Sequence, residues 1–329
     1  MLDFAGKRWY YLSVSIILFA VAAVILAIPP HLKTGIEFSS GSSFTEQFSQ
    51  SVDQGDLRAA MRDIGYSDAR IQSLGNNTYL IRTPELPGTP TLSGQQGPAP
   101  QGEIDRIEAA LGERFGGKPQ RQDFSTVSGT VSSEIARNAT YAVIAASIAI
   151  LLYIWFAFRH LTKPFRYGLC AVIALLHDAF IILGLFSFMG KAFNTEVDTA
   201  FITALLTVIG FSVHDTIVVF DRIRENIAHD PFIPFEEAVN ASLTDTLTRS
   251  INTSFTVVLT VLAMLLIGGA TIRNFLLVLL VGVVVGTYSS IGIASQLLVG
   301  WERNDIGRFF RRITGRKAVE SEPEAELAV

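Results

Sequence analysis

Ile209-Gly-Phe-Ser-Val-His-Asp-Thr-Ile-Val-Val-Phe-Asp-Arg-Ile-Arg-Glu-Asn226 lies in and beyond an apolar run that starts at Val197. A helix rises about 1.5 Å per residue and a hydrocarbon core is about 30 Å thick, so Val197–Val219 has the length of a membrane span. Inside that span stand His214 and Asp215. A charged side chain at the bilayer centre costs about 2.5–3.5 kcal/mol on insertion scales, so it faces a bundle interior where a partner or water meets it. Two readings follow: a structural polar residue tolerated near a helix end, or a carboxylate that handles protons or ions.

The composition is that of a membrane protein. Of 329 residues 49% are hydrophobic and 17% charged, with a mean hydropathy of +0.39; soluble domains carry about 25% charged residues. Five more runs have the length and apolarity of spans: Trp9–Ile28, Thr140–Phe158, Tyr167–Met189, Ser250–Ile267 and Phe275–Leu298. The first has no charge, follows Lys7 and Arg8, and ends in Ile28-Pro29-Pro30. It exceeds the apolar core of about 7–15 residues of a cleaved signal peptide, so it reads as an uncleaved anchor. The net charge of −4 excludes a strongly basic nucleic-acid binder. The single Cys170, in an apolar run, excludes a disulfide framework and a thiolate metal site, and redox chemistry with them.

Six spans put both termini on one side. One side gathers Lys7, Arg8, Arg159, Lys163, Arg166, Arg222, Arg224, Arg249, Arg303, Arg308, Arg311, Arg312, Arg316 and Lys317, whereas the short loops opposite hold only Lys191 and Arg273. The excess of Lys and Arg on cytoplasmic loops predicts cytoplasmic termini and an outward-facing domain after the first span. The chain thus divides into residues 1–30 (N-terminus and first span), 31–129 (outer domain), 130–300 (spans two to six, with a cytoplasmic link at 221–249) and 301–329 (cytoplasmic tail).

The outer segment is polar and rich in turn residues. Alternation predicts a strand over Gly35–Phe48, a helix over Asp56–Ile64, and strands near Ala69–Leu74 and Tyr79–Thr83 joined by an Asn76-Asn77 turn. A helix over Glu103–Phe115 and a strand over Pro119–Val127 complete β-α-β-β-α-β order, a ferredoxin-like α+β pattern. Pro84–Gly102, rich in Pro, Gly, Ser and Gln, reads as a mobile excursion. No catalytic constellation appears in this domain, and solvated faces account for its scattered charges. In the 221–249 link, Phe235–Leu243 reads as a short helix near the membrane surface. The tail carries Phe309, Phe310 and clustered Arg and Lys before an acidic end from Glu320. It reads either as a headgroup contact or as a solvated disordered tail.

Further polar groups lie in the spans. In the fifth, Arg249, Asn252, Thr253, Thr256 and Thr260 recur at spacings that share one helix face, which should meet protein or a water-filled path. Asp215 and Arg249 stand at comparable depth, so they are candidates to meet. A guanidinium beside the carboxylate would lower its pKa, so its departure would favour protonation. His177 and Asp178 form a second intramembrane His-Asp pair. For His177 a structural hydrogen bond and proton handling stay open; metal binding is a third reading with no ligand spacing behind it. A soluble phosphohydrolase reading of the two dipeptides fails because both sit in apolar spans. Gly282, Gly286, Ser290 and Ala294, four apart, predict a close helix contact.

Phe211-Ser-Val-His-Asp-Thr-Ile-Val-Val-Phe-Asp-Arg-Ile-Arg-Glu-Asn226 resembles the fourth transmembrane segment of the SecF family of protein-export subunits. The resemblance runs from about Lys7 to Arg312. Gly35-Ile-Glu-Phe-Ser-Ser-Gly41 resembles the family's glycine-rich entry to the outer domain, Leu176-His-Asp178 its third-span motif, and Thr248-Arg-Ser-Ile-Asn-Thr-Ser254 the start of its fifth span. The resemblance implies a transporter of the resistance-nodulation-division type that pairs with SecD beside the SecYEG translocon, with YajC as a further candidate partner. It implies use of the proton-motive force to draw unfolded preprotein across the bacterial cytoplasmic membrane. It also matches Asp215 and Arg249 to proton-path residues, implies no enzymatic activity or cofactor, and leaves further polar partners to SecD. Two positions depart from the pattern. His214 stands where Asn is usual, adding a group with an ordinary pKa near 6.5, and Ser40 stands where a second glycine is common.

Three other functions compete. A small-molecule exporter of the same transporter type would have twelve helices and larger outer domains in one chain. A scaffold that only clamps its partners would need no buried Asp215. An intramembrane hydrolase would need a second catalytic carboxylate or a Ser/His pair in a suitable motif, and neither is evident.

Overall fold

The computed structural model describes residues 3–84, 86, 101–161, 163–269 and 272–303. Six long apolar helical rods dominate it: α1 (Arg8–Ala27), α5 (Gly129–Ala157), α6 (Phe165–Phe193), α7 (Thr199–His229), α8 (Phe235–Ile267), and a sixth rod made of α9 (Arg273–Ser289), a π-helical turn (Ser290–Ala294) and α10 (Ser295–Glu302). Each is long and apolar enough to cross a membrane, and the protein is a multi-pass membrane protein. Rods α6, α7 and the sixth form the inner layer, while α1, α5 and α8 show much of their apolar surface outward, as a lipid solvent allows.

The inner layer is tight because small residues line it. A Cβ on Gly282 would stand 2.2 Å from Cγ2 of Val208 on α7, and one on Gly286 would stand 2.9 Å from Cβ of Ser212. The small-residue stripe of the sixth span is therefore the seam with α7. Between helices already bathed in an apolar solvent, such close packing supplies the contact energy that hydrophobic burial supplies in water.

Between α1 and α5 sits the small α+β domain. It comprises α2 (Ile36–Ser39), β1 (Gly41–Gln47), α3 (Gln54–Asp63), β2 (Arg70–Gly75), β3 (Thr78–Thr83), α4 (Gln101–Phe115) and β4 (Gln120–Val127). The four strands lie in the order β2-β3-β1-β4 with every pairing antiparallel, the ferredoxin-like arrangement. Phe44 and Phe48, Ile71, Tyr79 and Ile81 point to the face covered by Leu57, Ala60 and Met61 of α3 and Ile104, Ile107 and Leu111 of α4. Asp53 caps α3, its carboxylate accepting from the N–H groups of Gly55 (2.7 Å) and Asp56 (3.3 Å). Asn76 and Asn77 make the β2–β3 turn at φ of 50° and 56°, a left-handed pair that asparagine tolerates.

Two boundaries correct the sequence reading. The strand expected over Gly35–Phe48 begins only at Gly41, because Ile36–Ser39 is a helical turn closed by Ser40 at φ 60° and Gly41 at φ 130°. A side chain at residue 41 would meet the carbonyl oxygen of Thr83 at 2.5 Å, so only glycine fits the start of β1. The separate surface helix expected over Phe235–Leu243 is instead the first part of α8, unbroken to Ile267. Pro234 starts it, Glu236 and Glu237 suit its N-terminus, and Ala238, Val239, Ser242 and Leu243 are buried against the bundle. The link between α7 and α8 shrinks to residues 230–234. Pro84–Gly102, apart from Pro84, Leu86 and the start of α4, and the tail beyond Arg303 lie outside the described residues.

The domain is fastened to the loop between α6 and α7. Gly35 N–H donates to the Val197 carbonyl and Val197 N–H to the Lys33 carbonyl, each at 2.8 Å. The neighbouring Glu196, 5% exposed, lies 3.1 Å from Arg82 of β3 and 3.6 Å from Arg70 of β2. Burial holds the Glu196 carboxyl above the usual range, although both guanidinium groups pull it down.

Candidate functional site

Asp178 and Asp215, 2% and 8% exposed, lie in the inner layer on the facing rods α6 and α7. Both are surrounded by serine hydroxyls. Oδ2 of Asp178 accepts from Ser212 Oγ of α7 at 2.7 Å and from Ser289 Oγ at the end of α9 at 2.6 Å. Its Oδ1 lies 3.2 Å from Nδ1 of His177. Asp215 accepts from Ser250 Oγ of α8 at 2.5 Å on Oδ1 and from Ser290 Oγ at 2.8 Å on Oδ2. Four rods thus meet around two carboxylates, and the consecutive residues Ser289 and Ser290 touch one carboxylate each.

Such an arrangement can hold or release a proton. An ionised carboxylate in a dry interior needs donors, and the hydroxyls supply them without adding charge. When a carboxyl takes up a proton it becomes a donor, and a hydroxyl can turn to accept from it. Among the described residues no group of His, Cys, Asp and Glu has the spacing to hold a metal ion. His177 Nε2 is buried with no hydrogen-bond partner among the described residues. The residue lies on an apolar groove of about 890 Å3 bounded by α1, α5, α6, Leu205 of α7 and the sixth rod, and lined also by Arg8 and Gln296.

The other residues singled out in the sequence face elsewhere. Arg249 is exposed and forms no ion pair among the described residues; the side chain that reaches Asp215 from α8 is its neighbour Ser250, about 100° further round the helix. His214 is exposed where Asp215 is buried, for the same angular reason. Asn252, Thr253, Thr256 and Thr260 share a face, but it is the outer face of this chain. There Thr253, Thr256 and Thr260 donate to the carbonyls four residues back, at 2.9, 2.8 and 2.9 Å. The inward polar line of α8 is Ser242, Thr246, Ser250 and Ser254. Sequence reading missed Ser212, Ser250 and Ser289, and credited Ser290 with packing alone. The available signal was the recurrence of small hydroxyl residues every four positions, the spacing that places small residues at helix contacts.

Comparison with known proteins gives a consistent relationship. The family model described as "Protein export membrane protein SecD/SecF, C-terminal" matches residues 107–304. The protein translocase subunit SecF of Thermobaculum terrenum is 43% identical over 325 residues, covering 99% of each chain. The protein translocase subunit SecDF of Bacillus subtilis is 34% identical over 309 residues, covering 92% of this chain and 38% of that protein. Among solved structures, SecDF from Thermus thermophilus, described as a translocon-associated membrane protein, matches with a TM-score of 0.77 at 31% identity, over 92% of this chain and 39% of that one.

Proposed function

The chain belongs to the SecD/SecF family of protein-export membrane proteins and is an accessory component of Sec protein export, and from that premise we propose that it couples export to proton movement through Asp215 and Asp178. The observation that carries this reading is the pair of buried carboxylates, each held by hydroxyls from neighbouring rods. A scaffold has no use for two such groups in an apolar interior, where each costs a few kcal/mol to place. His177 belongs to the path as the titratable neighbour of Asp178, and its second ring nitrogen is buried without a hydrogen-bond partner among the described residues.

SecD is the partner in this reading. The SecDF relatives are more than twice as long as the matched region, room enough for a second, SecD-like half in one polypeptide. The outward polar face of α8, with Arg249, Asn252, Thr253, Thr256 and Thr260, is the surface that such a half would cover, with His214 beside it on α7. Arg249 then acts across the interface rather than within this chain. SecYEG and the unfolded preprotein are the further partners, with YajC beside them. The membrane is the bacterial cytoplasmic membrane, both termini are cytoplasmic, and the ferredoxin-like domain is outside, on the side from which protons flow. The chain moves protons and polypeptide and catalyses no bond chemistry.

The test is export of a secretory protein into inverted vesicles that hold this chain and its SecD, with and without a proton gradient. Asp215→Asn is expected to lose the gradient-dependent component at unchanged protein level and SecD binding. Equal gradient dependence in wild type and variant would leave this chain a scaffold, with coupling carried elsewhere.

A further inference from the structure

The sixth rod is not a plain α-helix where it meets the carboxylates. Ser290–Ala294 forms a π-helical turn, a wide turn that is rare and concentrated at functional sites. Side chains beyond the turn hold it open: Ser295 Oγ donates to the Ser290 carbonyl at 2.7 Å and Gln296 Nε2 to the Ile291 carbonyl at 3.0 Å. One extra residue in the turn rotates the rod's first part against its last by about 100°. With that offset Ser289 and Ser290 face α6, α7 and α8, while Leu298 and Val299 of α10 still face the core.

Each of the two hydroxyls also has a second acceptor within reach. Ser289 Oγ lies 2.6 Å from Asp178 Oδ2 and 3.1 Å from the Gly286 carbonyl; Ser290 Oγ lies 2.8 Å from Asp215 Oδ2 and 3.0 Å from the Thr287 carbonyl. A hydroxyl has one proton to donate, so it serves one acceptor or divides it between two. Beside an ionised carboxylate the charge draws the proton, because charge-assisted bonds are about twice as strong as neutral ones. When the carboxyl is protonated, its single O–H can donate to that serine oxygen, and the serine hydroxyl, keeping its proton, turns to donate to its helix carbonyl. Serine bonds to carbonyls a turn back bend helices.

We propose that Ser289 and Ser290 are positioning residues that report the protonation of Asp178 and Asp215 to the sixth span, and that the π turn beside them is where that span bends in response. The inference rests on the proton-coupling reading and deepens it by naming the element that moves. No bond other than the O–H bonds changes: the proton added to the carboxyl stays on it, and the serine hydroxyl only turns. Around Asp178, α6 presents His177, α7 Ser212 and the sixth rod Ser289. Around Asp215, α8 presents Ser250 and the sixth rod Ser290. Among the described residues His177 is the one titratable group bonded to either carboxylate, while His214 and Arg249 face outward.

The test uses the full chain with its SecD in lipid, titrated by infrared difference spectroscopy. The two carboxyl bands are assigned by their loss in Asp178→Asn and Asp215→Asn. Ser290→Ala is expected to shift the band and titration of Asp215 and leave those of Asp178, and Ser289→Ala the reverse. Ser295→Ala, which removes a brace of the π turn, is expected to shift both, and gradient-dependent export should fall tenfold or more in the Ser289→Ala/Ser290→Ala pair. Ser→Cys at each position keeps a weak donor and covers the case of an alanine variant that fails to fold; its expected shift is smaller and in the same band. Unmoved bands with full gradient-dependent export would overturn the proposal and leave the serines as helix back-bonders. Gradient-dependent export that survives Asp215→Asn would instead sink the underlying reading, whatever the serine variants do to the bands.

Discussion

Ser40 and Glu46 show at the scale of single residues how far the ferredoxin-like domain departs from its own best stability. Ser40 occupies φ 60°, ψ 165°, a region in which L residues are strained by about 1–3 kcal/mol and which glycine enters freely. Ser40→Gly is therefore expected to stabilise the chain by about 1 kcal/mol in denaturant unfolding, despite the greater freedom of glycine in the unfolded state. Glu46 is buried in β1 with both carboxylate oxygens lacking a hydrogen-bond partner among the described residues. Burial first, and then Glu108, push it up to about 7 from 4.5, against the pull of Arg121 and Lys118. The folded domain thus holds this proton more tightly than the unfolded chain does, so the sign follows from linkage. Its stabilising contribution is complete below about 4.5 and is lost as pH rises through about 7. Hydrogen-exchange protection of β1 and β3, corrected for intrinsic exchange, should decline over that window in the wild type. Glu46→Gln should flatten the decline and raise protection at pH above 7. The two aspartates were legible as singular residues in the sequence because a carboxylate in an apolar span is conspicuous. Their serine partners were not, because a serine in a helix is ordinary until the neighbouring rod is known.

The existence and order of helices and strands were legible wherever the chain's periodicity carried the signal, although α5 starts at Gly129, well before Thr140, and α7 runs on to His229, well past Val219. All six spans stand where hydropathy put them, and the two halves of the Asn76-Asn77 hairpin pair as alternation required. The misses have local causes. Polar residues at 235–249 read as a break from the fifth span, but Ala238, Ser242, Thr246 and Ser250 are small enough to pack, so the helix continues through them. The inward polar line of α8 was missed because a second polar stripe runs along the same helix and one chain alone cannot tell which meets a partner. The π turn left no mark in the sequence. The α7–α9 seam yields a direct expectation. Gly282→Leu drives a side chain into Val208 and should cost about 3 kcal/mol or more, beyond most overpacking penalties. Gly210→Ala, where a Cβ meets nothing within 4 Å, should be neutral or gain about 0.5–1 kcal/mol. Thermal unfolding in one detergent separates the two.

For the whole molecule, the meaningful connection runs from the ferredoxin-like domain to the carboxylates. Glu196 ties β2 and β3 to the loop that joins α6, which carries Asp178, to α7, which carries Asp215. Glu196→Gln leaves Arg82, 20% exposed, without its nearest counter-charge. Breaking a buried pair on one side costs about 3–5 kcal/mol, less here because Arg70 reaches solvent. The expected result is faster hydrogen exchange over residues 33–35 and 194–198 with the bundle's own protection unchanged; unchanged exchange at the loop would show that the backbone pairing alone holds the domain. The central claim, that Asp215 carries a proton, is met most directly by proton flux itself. The chain and its SecD would be reconstituted in proteoliposomes with a trapped pH indicator, and a proton gradient imposed in the presence of a translocating preprotein. Asp215→Asn is expected to abolish the preprotein-dependent flux seen in wild type. Flux through the variant at the wild-type rate would contradict the account.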